Sequence, residues 1–465
     1  MSELRLERRK IRRNFKRYFL SLGALLASLG ASGVAQAYPS VFPTGVTIYN
    51  KALAYNTDVI FSPLGDPLPG HTRGTYLIDM NGKIVHQWPY SGFPPKLVDP
   101  AFFGGQKGVV GVQISYLAPD SQAAEADVVP NQWSRFLDKE FGYVDWNGKI
   151  LWKWGDKAPD GVALQHHDWD LLKNGNTVIL ANLKHVVPGF GKKPVLDDVV
   201  YEVDKDGKIV WRWSALAHIQ QFGFTPAQLK LVEYSHSPDI LHINDLRPLG
   251  PNQWEEKGDS RFAPDNLIFS SRNANFTAII SRKTGDIVWR IGPNYPALRD
   301  GGVGPDKLPA PIDQISGQHS AYMIPEGLPG AGDILLLDNQ GEAGYPPVPL
   351  GLMSGSRVLQ INPETQQITW EYNARDSGQI GFSFFTPFIG NVQRLPNGNT
   401  LIDEGVDGRI FQVTQSGEIV WEYISPFETQ GPGAQIPGHP PVISNWVYRA
   451  EAVPSAWLPD AAKSP

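Results

Sequence analysis

The feature that most constrains this chain is a motif that recurs six times. It reads as an apolar strand, a turn of Gly or polar residues, and a second strand ending in tryptophan. The copies span residues 78–88, 144–152, 203–211, 280–289, 361–370 and 413–421, and end on Trp88, Trp152, Trp211, Trp289, Trp370 and Trp421. Asn81-Gly82, Asn147-Gly148 and Asp206-Gly207 supply the positive φ angles of tight hairpins. A second hairpin precedes four of the copies, most clearly around Asn174-Gly175-Asn176 and Asn397-Gly398-Asn399. Two hairpins make a four-stranded antiparallel sheet that cannot bury both faces alone, so radial stacking against its neighbours is the expected solution. The fold class expected is all-β: a six-bladed β-propeller of four-stranded antiparallel blades around a central channel, filling residues 38–465. The 47 glycines and 40 prolines, against 19% charged residues, suit a chain of many turns and few surface helices. The motif tryptophans are expected to pack between blades. Trp446-Val447-Tyr448-Arg449 offers a closing strand, and the sequence does not say which terminus closes the ring.

Residues 1–37 read differently. Arg8, Arg9, Lys10, Arg12, Arg13, Lys16 and Arg17 precede an uncharged run that ends in Ala35-Gln36-Ala37. That is the pattern of an export signal cleaved before Tyr38, and Arg12-Arg13 suits the twin-arginine route. The expected location is periplasmic or secreted, with no membrane attachment after cleavage; an uncleaved anchor is the alternative. The chain carries a formal net charge of −6, and loss of the basic leader leaves the body more acidic still. Such a body should not bind nucleic acid, so an anionic substrate must be held by local groups. Cysteine is absent, which excludes disulfides, thiolate catalysis and cysteine-bound metal. Long insertions at 118–131, 250–265 and 293–315 are expected to form the rim of the channel mouth.

The candidate chemistry lies on the first strand of each repeat. With the glycine after that strand as anchor, His167, His242 and His319 align without gaps, and Gly390 takes the same place in a fourth repeat. First strands line the channel of a propeller, so three imidazoles at one level should converge. On the second strands the same comparison aligns Asn182, Arg272 and Asn339. A guanidinium at the end of Leu267-Ile268-Phe269 calls for an anion. Asn244, two residues beyond His242, offers an amide to the same place. His, Arg and Asn together form an oxyanion-binding set. His166 competes with His167 for the channel-facing position.

The tails, His167-Asp168 followed by Asn174-Gly175-Asn176, His242-Ile243-Asn244, Ser270-Ser271-Arg272-Asn273, Gln318-His319 with Asp338-Asn339, Ser356-Arg357 and the opening Thr44-Gly45-Val46-Thr47-Ile48-Tyr49-Asn50 together resemble the bacterial aryl-sulfate sulfotransferases. The resemblance spans nearly all of residues 38–457. It implies a periplasmic six-bladed propeller that moves a sulfuryl group from a phenolic sulfate ester to a phenolic acceptor, with no nucleotide donor and no cofactor. It singles out His319 as the nucleophile that is transiently sulfated in a ping-pong mechanism. By the same resemblance His167, His242 and Arg272 are catalytic, and Asn244 stands near the sulfate. Asn339 and His166 are taken as substrate-binding. A neutral imidazole is a competent nucleophile near pH 7, and a second histidine can serve the leaving and attacking phenols as acid and base. The chain lacks the cysteines and the N-terminal sandwich domain of well-known members, which leaves its oligomeric state open. Three rival readings stand beside this one. Three histidines can hold Zn²⁺, though Arg272 in the same ring argues for no metal. Thr284-Gly285-Asp286-Ile287-Val288-Trp289 is similar to docking repeats of quinone-dependent dehydrogenases. An exported propeller can also be a binding module without turnover.

Overall fold

The computed structural model describes residues 43–116, 137–187, 194–233, 239–293, 315–341, 354–430 and 443–460. The export signal expected at 1–37 and the insertion at 118–131 lie outside the described residues, as does nearly all of 293–315. Each of the six tails forms an antiparallel hairpin. The tails are stitched into a closed series by indole N–H groups. Trp88 donates to Asp145 O (3.1 Å), Trp154 to Gly207 O (3.1 Å), Trp213 to Gly285 O (2.9 Å), Trp289 to Pro363 O (2.7 Å) and Trp370 to Gln415 O (3.0 Å). Trp421 then returns to Met80 O of the first tail at 2.8 Å. In two tails the buried linking residue is therefore Trp154 or Trp213, two positions past the tryptophan that ends the motif.

The arrangement is all-β and propeller-like, but the strands do not sort into six separate blades. Four sheets stand alone. One joins Val447–Val453 to Asp58–Pro63, Thr75–Ile78 and Ile84–Trp88. Two others begin at Ile243–Pro248 and His319–Met323 and contain four strands each. The fourth begins at Asn391–Arg394 and gains Gly45–Tyr49 as a fifth strand on its outer edge. The tails of Trp152 and Trp211 belong instead to a single eight-stranded sheet. It is fused where Asp138, at the start of Asp138–Val144, pairs with Gln165, at the start of Gln165–Leu171. Both ends of the described chain add strands: the C-terminal strand joins the N-terminal sheet, and Gly45–Tyr49 completes the sheet of the last tail. Aromatic cores lie between neighbouring sheets, among them one around Phe269, Phe276 and Trp213, one around Phe61, Tyr76 and Trp421, and one around Tyr322, Tyr372 and Phe411.

The first strands pack side by side in the order Gln165–Leu171, Ile243–Pro248, His319–Met323, Asn391–Arg394, Val447–Val453. They are linked by side chains that cap the next strand. Asp168 accepts from Leu246 N (3.0 Å), Asp245 from Ala321 N (2.9 Å), and Asn391 from Ala450 N (2.9 Å). One insertion expected at the channel mouth is elsewhere. Residues 250–265 connect the far ends of Ile243–Pro248 and Leu267–Ser271, opposite His242 and Arg272. There Trp254 and Phe262 are buried, and the Trp254 indole donates to Gly332 O at 2.7 Å.

Candidate active site

The strand pairing fixes which residues share a level. Leu171, Pro248, Met323 and Arg394 pair with Thr177, Leu267, Ile334 and Thr400. Those four in turn pair with Val203, Ile280, Ile361 and Val413 at the starts of the tails. Four positions back along the first strands stand His167, Asn244, His319 and Gly390. His167 and His319 are thus equivalent, as expected, but the gapless placement of His242 is corrected. Asn244 holds that level, and His242 reaches the site from two residues earlier. The anchor misled because Gly250 opens the long 250–265 connection, whereas Gly175 closes a tight turn. On the second strands, Asn182, Arg272 and Asn339 do lie five residues past Thr177, Leu267 and Ile334, as expected.

Bulges re-aim the side chains at this level. The pairing shifts between Ile179 and Ala181, between Ile243 and Asp245, and between His319 and Tyr322. Around the same spots His167, His242, Ser320 and Ile389 adopt left-handed φ angles of 58°, 49°, 59° and 57°. Ile389 is β-branched, for which such a backbone is costly; strain of this kind collects where a site needs it.

His319 is buried, and its tautomer is set by its neighbours. Its Nδ1 lies 2.8 Å from Asn339 Oδ1 and 2.9 Å from Gly317 O. Asn339 Nδ2 donates to Thr386 O (2.7 Å) and Ile389 O (2.8 Å), so its oxygen is the atom facing the ring. Two acceptors at Nδ1 require a proton there, which leaves the lone pair on Nε2. That nitrogen accepts a long bond, 3.3 Å, from Ile389 N–H. Burial, chiefly, and then Arg272, Arg449 and His242 push the His319 pKa well below the ordinary histidine value, against the Asn339 bond, which raises it. The ring is a neutral imidazole at pH 7. Asn339, expected to bind substrate, holds the His319 ring in this structure.

Around it the other imidazoles gather. The His167 and His242 rings are 4.6 Å apart, and the Tyr448 ring is 5.7 Å from that of His167. His242 Nδ1 lies 2.5 Å from Asp239 Oδ2. Burial first, then His242, His166, His319 and Arg449, depress the His167 pKa well below the ordinary value. Between the two rivals at 166 and 167, His167 is the one packed against His242. His166 turns to the other side, with its Nδ1 2.6 Å from His167 Nδ1 and its Nε2 3.3 Å from Asp198 Oδ1. Arg272 is half-buried, donates to Asn273 Oδ1 at 3.2 Å, and has Asp239 as a charged neighbour. Asn244 donates its amide to Gln318 O at 2.8 Å, bracing the strand that carries His319. Its buried Oδ1 has no hydrogen-bond partner among the described residues. What it leaves open is an acceptor, not the donor expected.

Sequence reasoning missed the residues that close the site from behind. Arg449, fully buried, pairs with Asp168 at 2.7 Å and donates to Asn244 O at 2.6 Å. Tyr448 Oη donates to His167 O (3.0 Å) and Asn244 O (3.2 Å). Lys96 lies 2.8 Å from Asp168, and Glu451 lies 2.7 Å from Arg247. Burial alone would raise the Asp168 pKa, but Arg449, Lys96 and Arg247 hold it well below the usual carboxylate range. Beside the imidazoles runs an apolar wall of Phe93, Ile389 and Tyr448, with Phe388 and Trp446 packed against it. The arrangement suits an aromatic group on this wall and an anionic head among imidazoles and a guanidinium.

No curated protein matches the chain. Among solved structures, a protein of unknown function from Bacteroides caccae is 11% identical with a TM-score of 0.43, over 85% of this chain and 98% of that one. Virginiamycin B lyase from Staphylococcus aureus is 13% identical with a TM-score of 0.36, over 78% and 84%. A europium-containing methanol dehydrogenase is 12% identical with a TM-score of 0.37, over 82% and 69%. These likenesses are too distant to bear on the site. The family model described as arylsulfotransferase (ASST) matches residues 126–426, a span that holds every histidine of the site together with Arg272, Asn244 and Asn339 but stops short of Tyr448 and Arg449. The chain belongs to the arylsulfotransferase (ASST) family.

Proposed function

We propose that the chain transfers a sulfuryl group from a phenolic sulfate ester to a phenolic acceptor through a sulfo-histidine at His319. The observation that carries this reading is the His319–Asn339 pair, which places a proton on Nδ1 and the lone pair on Nε2 of a neutral, buried imidazole. In the first displacement Nε2 attacks sulfur, the N–S bond forms as the S–O(aryl) bond breaks, and the phenolate takes a proton from His167. In the second, the acceptor phenol returns a proton to His167 while its oxygen takes the sulfuryl group and frees His319. Two displacements split one difficult step into two easier ones.

The sulfuryl oxygens gain negative charge in each transition state, and Arg272 is the cation nearest at hand for them, with His242 held beside it by Asp239. Ile389 N–H points at Nε2 in the resting site; once that lone pair is used, it is free to donate to a sulfuryl oxygen. The aryl groups of donor and acceptor rest on the wall of Phe93, Ile389 and Tyr448. By this reading residues 1–37 are an export signal and the enzyme works outside the cytoplasm.

Intact-mass analysis of the exported protein, incubated with 4-nitrophenyl sulfate, tests both parts. The expected species is a chain beginning at Tyr38 that gains one sulfuryl group and loses it on addition of phenol. His319→Ala should show no adduct and a loss of turnover of about 10⁴-fold or more. Steady turnover by His319→Ala would sink the assignment.

A further inference from the structure

We propose that His166 and Asp198 form a proton relay behind His167, letting His167 act as acid in one half-reaction and base in the other without holding net charge. This rests on the sulfotransfer reading above and adds what supplies and stores the proton. The geometry is a carboxylate and two imidazoles in series. Asp198 Oδ2 accepts from Ile243 N and its Oδ1 from Asn182 Nδ2, both at 3.1 Å, so the carboxylate is fixed in place. Its Oδ1 stands 3.3 Å from His166 Nε2, an ion-pair contact without hydrogen-bond geometry, that nitrogen having no hydrogen-bond partner among the described residues, so the carboxylate acts on His166 through its charge. The other ring nitrogen of His166 lies 2.6 Å from Nδ1 of His167, and only one proton can occupy that bond. Asp198 and His166 are both buried, which keeps bulk water from short-circuiting the exchange.

His167 poses the problem that the relay solves. It is packed against His242, Tyr448 and His166, with His319 and Arg449 as further charged or titratable neighbours, and it resists protonation. A group that resists becoming an imidazolium is a poor acid unless a proton reaches it as it gives one up. Before the first displacement His166 carries protons on both nitrogens, facing the Asp198 carboxylate, and His167 carries one, on Nε2. As the S–O(aryl) bond breaks, the aryl oxygen takes the Nε2 proton of His167, and the Nδ1 proton of His166 moves to Nδ1 of His167. His167 is neutral before and after; only its tautomer has changed. In the second displacement the phenol gives its proton to Nε2 of His167, and the Nδ1 proton returns to His166. One proton leaves with the first phenol and one arrives with the second, so the cycle balances. His166 is thus a positioning and proton-holding residue that acts through His167.

The test is the dependence on leaving group. Nitrophenolate departs with little help, whereas phenolate needs a proton. In His166→Gln, kcat/KM for phenyl sulfate should fall about a hundredfold, while that for 4-nitrophenyl sulfate falls less than about tenfold. Asp198→Asn should show the same selective loss, and serves if His166→Gln does not fold. An equal fall for both donors in either variant would overturn the relay and assign a merely structural role. The mass shift from 4-nitrophenyl sulfate should persist in both variants. If wild-type enzyme shows no such shift, the sulfo-histidine reading fails instead, whatever the relay variants do.

Discussion

Two adjoining layers of the same first strands have opposite electrostatic characters. The layer of His167, Asn244 and His319 holds neutral imidazoles and an amide oxygen without a partner among the described residues. One residue further on, Asp168 is clamped between Arg449 and Lys96, and beyond it Arg247 pairs with Glu451. In the second layer charges meet charges, although Asp245 Oδ1, Arg247 Nε and Arg449 Nε have no hydrogen-bond partner among the described residues; in the first, the groups are imidazoles and an amide without a formal charge to cancel. A buried ion pair is neutral or mildly unfavourable next to an apolar replacement, yet breaking one leaves a charge with no solvent. The pairs therefore serve as a rigid floor, and the imidazoles above it are free to be spent on chemistry.

The strongest way to break this contrast is Arg449→Met. It takes from Asp168 one of its two clamping cations, leaving Lys96, and removes the donor to Asn244 O, and should destabilise the fold by about 3 kcal/mol, read from the midpoint of denaturant unfolding. A stability within about 1 kcal/mol of wild type would mean that the floor is not a structural unit. Arg272→Lys tests the upper layer. A lysine keeps the charge but loses the planar fork, and kcat should fall by about 10²-fold with little change in the unfolding midpoint; unaltered kcat would remove Arg272 from the sulfuryl site.

The smallest effect concerns pH. The buried His319 has a depressed pKa, so as pH falls below about 6.5 the unfolded chain binds a proton that the folded chain refuses, and stability drops with pH. Asp168 behaves differently: its folded pKa is depressed from an ordinary carboxylate value, so its contribution persists well below pH 5. Asp245, raised to about 6, and Glu404, raised to about 7, work against the histidines, since stability falls as pH rises toward those values. The clean measurement is therefore a difference. Relative to wild type, His319→Ala should gain up to about 1.4 kcal/mol for each pH unit below 6.5. A pH-independent difference between pH 7 and 5 would show that His319 titrates as it does in the unfolded chain.

Repetition carried much of this in the sequence alone. Hairpin signals and tail tryptophans are local, so the six tails, the all-β class, the second-strand level of Asn182, Arg272 and Asn339, and the equivalence of His167 and His319 could be read from the chain. What misled was also local: Gly250 looks like Gly175, but it opens a long connection, and His242 slipped by two residues. Only the tertiary structure decided the rest. Bulges change facing without any sequence mark, which is why His166 and His167 could not be told apart. The fusion of two repeats into one sheet depends on a single pair, Asp138 with Gln165. Arg449 and Tyr448 meet Asp168 and His167 across about 280 residues, and no spacing rule encodes a contact made by closing the ring. Periodicity determines which residues are equivalent; the packing of strands far apart in the chain determines which of them touch, and so where charge is cancelled and where it is left for a substrate.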